Sequence, residues 1–215
     1  MKLESDGILI SIKPFNERDS LARIFTHEHG VLVGMIRGAA VAKKNIPMPG
    51  QIGCATWNAR LDSQLGVFHW ANERNIAAQI MMHPERLSYM NAAFDLLANL
   101  LPEREGYPHL YTQTITMLEH LTQDDGRAPY MEWEIVLLRE LGYALDLTHC
   151  SGCGDTESLT HLSPRTGRAV CATCAQPYIN KLYKLPLNLS TTFAFLERLC
   201  TQQEIPVPLM RKLLR

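Results

Sequence analysis

The chain has 215 residues, 46% of them hydrophobic and 20% charged, with a formal net charge of −1. This composition suits one large domain or two small ones with cores of their own, and it argues against wholesale disorder. No apolar run approaches the roughly 20 residues of a membrane span, and Met1-Lys2-Leu3-Glu4-Ser5-Asp6 lacks the apolar centre of a signal peptide, so the cytoplasm is the expected compartment.

The first third reads as strands. Ile8, Ile10 and Ile12 alternate with Leu9 and Ser11, a period of two. Leu21 to Thr26 forms a second run, and His27-Glu28-His29-Gly30 a turn in which Gly30 can take positive φ. Val31 to Ile36 is a third strand, followed by a loop over 39–51 that holds Lys43, Lys44, Pro47, Pro49 and Gly50. Ile52 to Trp57 and Leu65 to Trp70 complete the set, separated by Asp62-Ser63. Five short strands in so few residues suit a small closed barrel, of the OB or SH3-like kind; the long loop after the third strand favours the OB-fold.

From residue 83 the period becomes helical. Pro84 suits a helix start, and Leu87, Met90, Phe94, Leu97 and Leu101 form one apolar stripe. Leu110, Thr114, Met117, Leu118 and Leu121 mark a second helix, which Asp124-Asp125-Gly126 ends. Pro129 opens a third, with Trp133, Val136, Leu137, Leu138 and Leu141 on its buried side. Helical pattern resumes over 176–184, over 190–202 behind a Ser190 cap, and near 207–214. The fold class expected is α+β. A boundary between Asn72 and His83 divides it into a nucleic-acid-binding barrel, 1–78, and a helical domain, 79–215, with a metal-binding segment at 149–175.

That segment carries the most specific signal. Cys150, Cys153, Cys171 and Cys174 make C-x2-C-x17-C-x2-C, the spacing of a four-thiolate zinc site. Two residues between cysteines let a tight turn aim both sulfurs at one ion, and Gly152 and Gly154 ease that turn. Between the pairs, Leu159-Thr160-His161-Leu162 and Arg168-Ala169-Val170 read as a hairpin that returns the second pair to the first. A closed tetrathiolate sphere leaves no open position, so the zinc would be structural. Zinc with four thiolates carries −2, which Arg165, Arg168, Lys181 and Lys184, near in sequence, would offset. The alternative is a pair of redox C-x-x-C motifs, which call for a βαβ setting that the pattern lacks. His149 and His161 read as surface residues, and Cys54 and Cys200 as small buried hydrophobes.

Charge is weakly polarised, with a net of +2 over residues 1–80 and −3 over the rest, so an anionic partner would have to be met by a local patch. The candidates for phosphate contact are Lys13, Arg18, Arg23, Arg37, Lys43, Lys44 and Arg60. Arg37, Lys43 and Lys44 stand out because they lie on or beside the long loop. Arg18 and Arg23 have Glu17, Asp19 and Glu28 close in sequence, which also fits surface ion pairs. Trp57, Phe68 and Trp70 suit stacking on bases, but core packing is the preferred reading. No phosphate-cradling glycine loop, nucleophile motif or nuclease-type cluster appears.

The ordered series Gly7-Ile8-Leu9, Asn16-Glu17-Arg18-Asp19, Thr26-His27-Glu28-His29-Gly30, Arg37-Gly38-Ala39 and Lys43-Lys44, followed by helices interrupted by four cysteines, resembles the bacterial DNA repair protein RecO family along nearly the whole chain. The resemblance implies an N-terminal OB-fold joined to a zinc-bearing helical domain. It also implies a nucleoid-associated, non-enzymatic mediator of DNA repair and homologous recombination. Such a protein binds single- and double-stranded DNA and anneals complementary strands. Its implied partners are RecR, RecF and the C-terminal tail of single-stranded DNA-binding protein, with which it loads recombinase onto coated DNA. The competing readings are a zinc-ribbon interaction module serving as a transcription or translation accessory factor, and a metal-dependent enzyme.

Overall fold

The computed structural model describes residues 1–61, 64–143 and 145–214; the expected separator Asp62-Ser63 lies outside them. Five strands fill the first third: β1 (Lys2–Pro14), β2 (Ser20–Thr26), β3 (Gly30–Ile36), β4 (Gln51–Asn58) and β5 (Gly66–Asn75). Their pairing runs β1-β2-β3-β5-β4 and returns to β1, so the sheet closes into a barrel. Every pairing is antiparallel except β3 with β5, which run parallel through Gly34↔Gly66, Met35↔Val67 and Ile36↔Phe68.

One strand serves two neighbours. The first half of β1, Lys2 to Ile8, pairs with β4, and its second half, Gly7 to Pro14, pairs with β2. A register shift between Leu9 and Ser11 bends the strand between these tasks, as bulges do in small barrels. Inside lie Leu9, Ala22, Ile24, Leu32, Ile36, Ala55, Trp57 and Phe68. Trp57 is fully buried and donates its indole N–H to the Val33 carbonyl at 2.9 Å. The ring leaves no room beside it: a Cβ on Gly66 would sit 2.0 Å from the indole, so glycine is required where β5 begins.

Around the barrel the same unit holds α1 (Ile76–Ile80), α2 (Pro84–Leu100), α3 (Pro108–Leu121) and the start of α4 (Arg127–Glu140). A short segment later in the chain, α7 (Leu209–Lys212), also belongs to it. The sequence pattern does not announce α1; it is one and a half turns long and is capped by Asn75, whose side chain accepts the Ala78 N–H at 3.0 Å. Pro84 opens α2 as expected, and its buried face is wider than the predicted stripe, adding Tyr89, Ala92, Ala93, Leu96 and Leu100. The linker after α2 seals one part of the barrel wall: Arg104 donates its backbone N–H to Val31, and its guanidinium lies 4.7 Å from the Trp57 ring centroid. Tyr111 of α3 packs on Phe25 of β2 and on His27 just after it.

The second unit runs from Met131 to Val207, so the division between the two units falls within α4, and the sequence boundary expected between Asn72 and His83 lies inside the first unit. Its sheet is small: β6 (Leu159–Leu162), β7 (Ala169–Cys171) and β8 (Tyr183–Lys184) in the order β7-β6-β8. The hairpin of β6 and β7 is the predicted one. The helix expected over 176–184 is instead a 3-10 turn, Gln176–Lys181, followed by β8, because the chain there returns to pair Leu162 with Tyr183 and His161 with Lys184. Two helices complete the unit, α5 (Ala172–Ala175) and α6 (Leu189–Gln202). The cap of α6 is Asn188 and not Ser190: the Asn188 carboxamide accepts the Thr191 N–H at 3.0 Å, so the helix is capped two residues earlier than the sequence suggests. Among the described residues no helix is long and apolar enough to cross a membrane.

Candidate metal centre and nucleic-acid interface

The four predicted cysteines converge. One ligand atom from each of Cys150, Cys153, Cys171 and Cys174 lies within 4.8 Å of all the others. The Cys153 and Cys171 sulfurs are 3.6 Å apart, close to the ~3.8 Å that separates tetrahedral sulfurs 2.3 Å from one zinc ion. Among the described residues the group contains no histidine. His149 faces Asp146 and Thr148, and His161 contacts Thr160.

Local folding explains the convergence. The first pair sits on a turn in which Gly154 donates to the Cys150 carbonyl at 2.9 Å and takes φ 82°, a left-handed value suited to glycine. The Cys150 N–H is tied to the Asp155 carbonyl at 2.7 Å. The second pair spans the end of β7 and the first turn of α5, where Cys171 is the cap residue and its sulfur accepts the Cys174 N–H at 3.5 Å. The hairpin brings the pairs together, and the Ser151 N–H bonds the Ala169 carbonyl at 2.9 Å. Cys150 and Cys171 are buried, Cys174 is half-buried and Cys153 is exposed, so the site lies at the edge of a small apolar cluster with Val170 and Ala175.

The electrostatics suit a metal. Backbone N–H groups of Cys171, Cys153 and Gly152 point at the Cys150 sulfur and draw its thiol down to about 6, against burial, which works the other way. Cys174 is pushed up to about 12 by sharing protons with the sulfurs of Cys153, Cys171 and Cys150. Cys153 is raised as well: the Asp155 N–H lowers it, but its hydrogen bonds with Cys150 and Cys171 prevail. A cluster of this kind holds a thiolate at Cys150 and retains protons on Cys153 and Cys174 until a cation displaces them. Donor type, number and spacing fit zinc, with no ligand position left for chemistry. The remaining cysteines lie outside the cluster: Cys200 is buried, and Cys54 is half-buried with its thiol raised by burial.

The predicted cations distribute over two faces of the barrel unit. A groove of about 850 Å³ runs between the β3–β4 loop and β5, lined by Arg37, Gly38, Asn45, Asn58, His69 and Trp70 among others, none of them acidic. It exists because the parallel pairing of β5 with β3 ends at Ile36↔Phe68 while β5 continues to Asn75. Arg37 is in the lining; Lys43 and Lys44 are exposed on the same loop. Arg18, on the β1–β2 loop, is tied to the β3–β4 loop through its carbonyl, which accepts the Ala40 N–H at 3.0 Å, and Asp19 beside it makes a second link. That carboxylate accepts the Gly38 N–H at 2.9 Å and the Asn16 amide, and those bonds, with the charges of Arg37 and Arg18, hold it below the usual carboxylate range. Lys13 and Arg23 instead line a smaller groove, of about 400 Å³, with Ile12, Phe94 and Asn99. Arg60 is exposed between β4 and β5. Among the described residues none of the seven cations is in an ion pair.

Of the three aromatics, Trp57 and Phe68 are core, as preferred. Trp70 is half-buried, lines the groove and donates to Gln51 at 3.1 Å. Sequence reasoning overlooked His69, the asparagines of the groove, and Phe15, which is 55% exposed at the β1–β2 loop. Alternation along β5 placed His69 on the far side from Trp70, and only the open edge of β5 brings both to one cleft.

A closed five-stranded barrel with helices, followed by a helical unit built round a four-cysteine centre, defines a two-part α+β protein. Residues 1–73 match the profile of recombination protein O, N terminal, and residues 82–214 that of recombination protein O, C terminal. Proteins named DNA repair protein RecO are similar over most of their length. The one from Ruegeria sp. is 36% identical over 86% of this chain and 78% of its own. That from Dinoroseobacter shibae is 37% identical over 84% and 76%, and that from Rhodospirillum centenum 36% identical over 86% and 76%. The chain belongs to the RecO family of DNA repair proteins.

Proposed function

We propose that this protein is a recombination mediator that grips DNA along the β3–β4 groove of its barrel and anneals complementary strands. The observation that carries the reading is that groove: it has an arginine, a half-buried tryptophan and three asparagines in its lining, no carboxylate, and two exposed lysines on the loop that forms its wall. A phosphate chain needs cations and bases need flat or amide partners, and both are present on one surface. The strand order, with its single parallel closure and a β1 shared between two neighbours, supports reading the barrel as an OB-fold. We assign Arg37, Lys43, Lys44 and Arg18 to the principal DNA path, and Lys13, Arg23 and Arg60 to flanking contacts. Annealing requires screened phosphates and exposed base edges, with no bond chemistry, so the protein acts without catalysis.

Cys150, Cys153, Cys171 and Cys174 hold a structural zinc ion. Family membership supports RecR, RecF and the tail of single-stranded DNA-binding protein as partners in recombinase loading, and a cytoplasmic, nucleoid-associated location. We place the functional division near residues 78 and 79, a reading supported by the interval between the two family profiles. The test is a salt titration of oligonucleotide binding. Lys43→Ala with Lys44→Ala should make the slope of log K against log salt shallower by about 1.4 on single strands, at roughly 0.7 per lost contact. Zinc content should not change. An unaltered slope would remove these lysines from the DNA path.

A further inference from the structure

We infer that the outer face of the small sheet in the second unit is a separate binding surface for the phosphate chain of nucleic acid. From Ser158 through Leu196 the sequence contains no Asp or Glu but four cations, Arg165, Arg168, Lys181 and Lys184, in a chain whose overall charge is −1. A zinc tetrathiolate would carry −2, so half of that positive charge is surplus to balancing the metal centre.

The fold turns this run of sequence into a surface. The register sets Leu162, Ala169 and Tyr183 side by side on one face of the sheet, and the Tyr183 ring meets Phe195 of α6 at 5.8 Å, so this face is covered. Alternation then puts Lys184, the half-buried His161 and Val170, which is buried with the cysteines, in one row on the opposite face, with Arg168 two residues before Val170. The β6–β7 turn adds Arg165, and Arg198 of α6 reaches the same turn by donating to the Pro164 carbonyl. Arg165, Lys181 and Lys184 are all exposed, and among the described residues none is in an ion pair. Arg168 is exposed too; its backbone forms a parallel bridge with Asp146, whose carboxylate is held low chiefly by its bonds with Thr148 and to a lesser extent by the Arg168 charge. Tyr178, 60% exposed in the turn that leads to Lys181, supplies an aromatic plane beside the cations. Cations spread over a sheet face and a turn match an extended polyanion better than an acidic apolar peptide, which needs a hydrophobic pocket. With this surface each protein has two places to hold phosphate, which suits a protein that must bring two strands together.

The experiment uses the full chain, zinc-loaded, and oligo(dT) of roughly 40 nucleotides with a duplex of similar length. Lys181→Gln with Lys184→Gln leaves the barrel cations in place. It should make the single-strand salt slope shallower by about 1.4, additively with Lys43→Ala and Lys44→Ala, and the duplex slope shallower by about 1.8. If the double variant loses zinc, Arg165→Gln on the exposed turn replaces it, with an expected change of about 0.7 on single strands. Wild-type slopes in the zinc-retaining variants, on both nucleic acids, would overturn the inference. The same unchanged slopes with weakened binding of poly-glutamate would overturn it in favour of an acidic protein partner.

Discussion

Metal loading should depend on pH in a way that the metal-free cluster dictates. Zinc takes thiolates, so every proton still on a cysteine must leave, and apparent affinity falls as pH falls. Cys174, pushed up to about 12, and Cys153, raised above its usual value, both carry protons throughout the neutral range. Cys150, drawn down to about 6, has already lost its proton there. Between pH values of about 6.5 and 8 the logarithm of the apparent zinc affinity should therefore rise by at least about two per pH unit, roughly a hundredfold. Below about 6, Cys150 joins the competition and the slope should steepen by about one more. Competition against a chromophoric chelator across this range measures it. Cys150→Ser removes the group responsible for the break, so the steepening near pH 6 should vanish along with most of the affinity. A slope near one across the whole range would refute binding through four thiolates. Steepening that persisted in Cys150→Ser would refute the assignment of the low thiol.

Trp57→Ala should cost about 3–5 kcal/mol in urea unfolding, since the ring is wholly buried and its removal opens a cavity in the barrel. Trp70→Ala should cost far less stability and should weaken binding of oligonucleotides, read as lost fluorescence quenching and a raised Kd. Asn188→Ala should destabilise the second unit by about 1 kcal/mol by removing the cap of α6, whereas Ser190→Ala should have little effect in the same thermal melt. Asp19 is held below its usual value, chiefly by the Gly38 N–H, so its link to the β3–β4 loop is intact above its unfolded pKa of about 3.9 and is lost as pH falls through the lower folded value. The amide shift of Gly38 followed by NMR should report that transition, and Asp19→Asn should abolish it.

The four cysteines were legible in the sequence because their signal is local: two-residue spacers aim sulfurs by turn geometry alone, and the hairpin between the pairs carries its own alternation. The five strands were legible for the same reason, as were the helices that start at Pro84 and at Pro108 near the expected second stripe. The misplaced elements have different causes. The chain after Lys181 becomes a strand because β6, far back in the sequence, pairs with it, whereas Asn188 outcompetes Ser190 for the cap through a local bond to the Thr191 N–H.

Sequence alone therefore determined the strand and helix periods, the four cysteines of the candidate metal centre and the supply of cations, since each depends on residue type and short spacing. Tertiary structure decided where β5 runs past its parallel partner to open a cleft, which of three aromatics lines it, and which sheet face α6 covers. Those outcomes depend on which surfaces meet across tens of residues. The free energy that selects among such pairings comes from burial shared between distant segments, and no single window of sequence contains it.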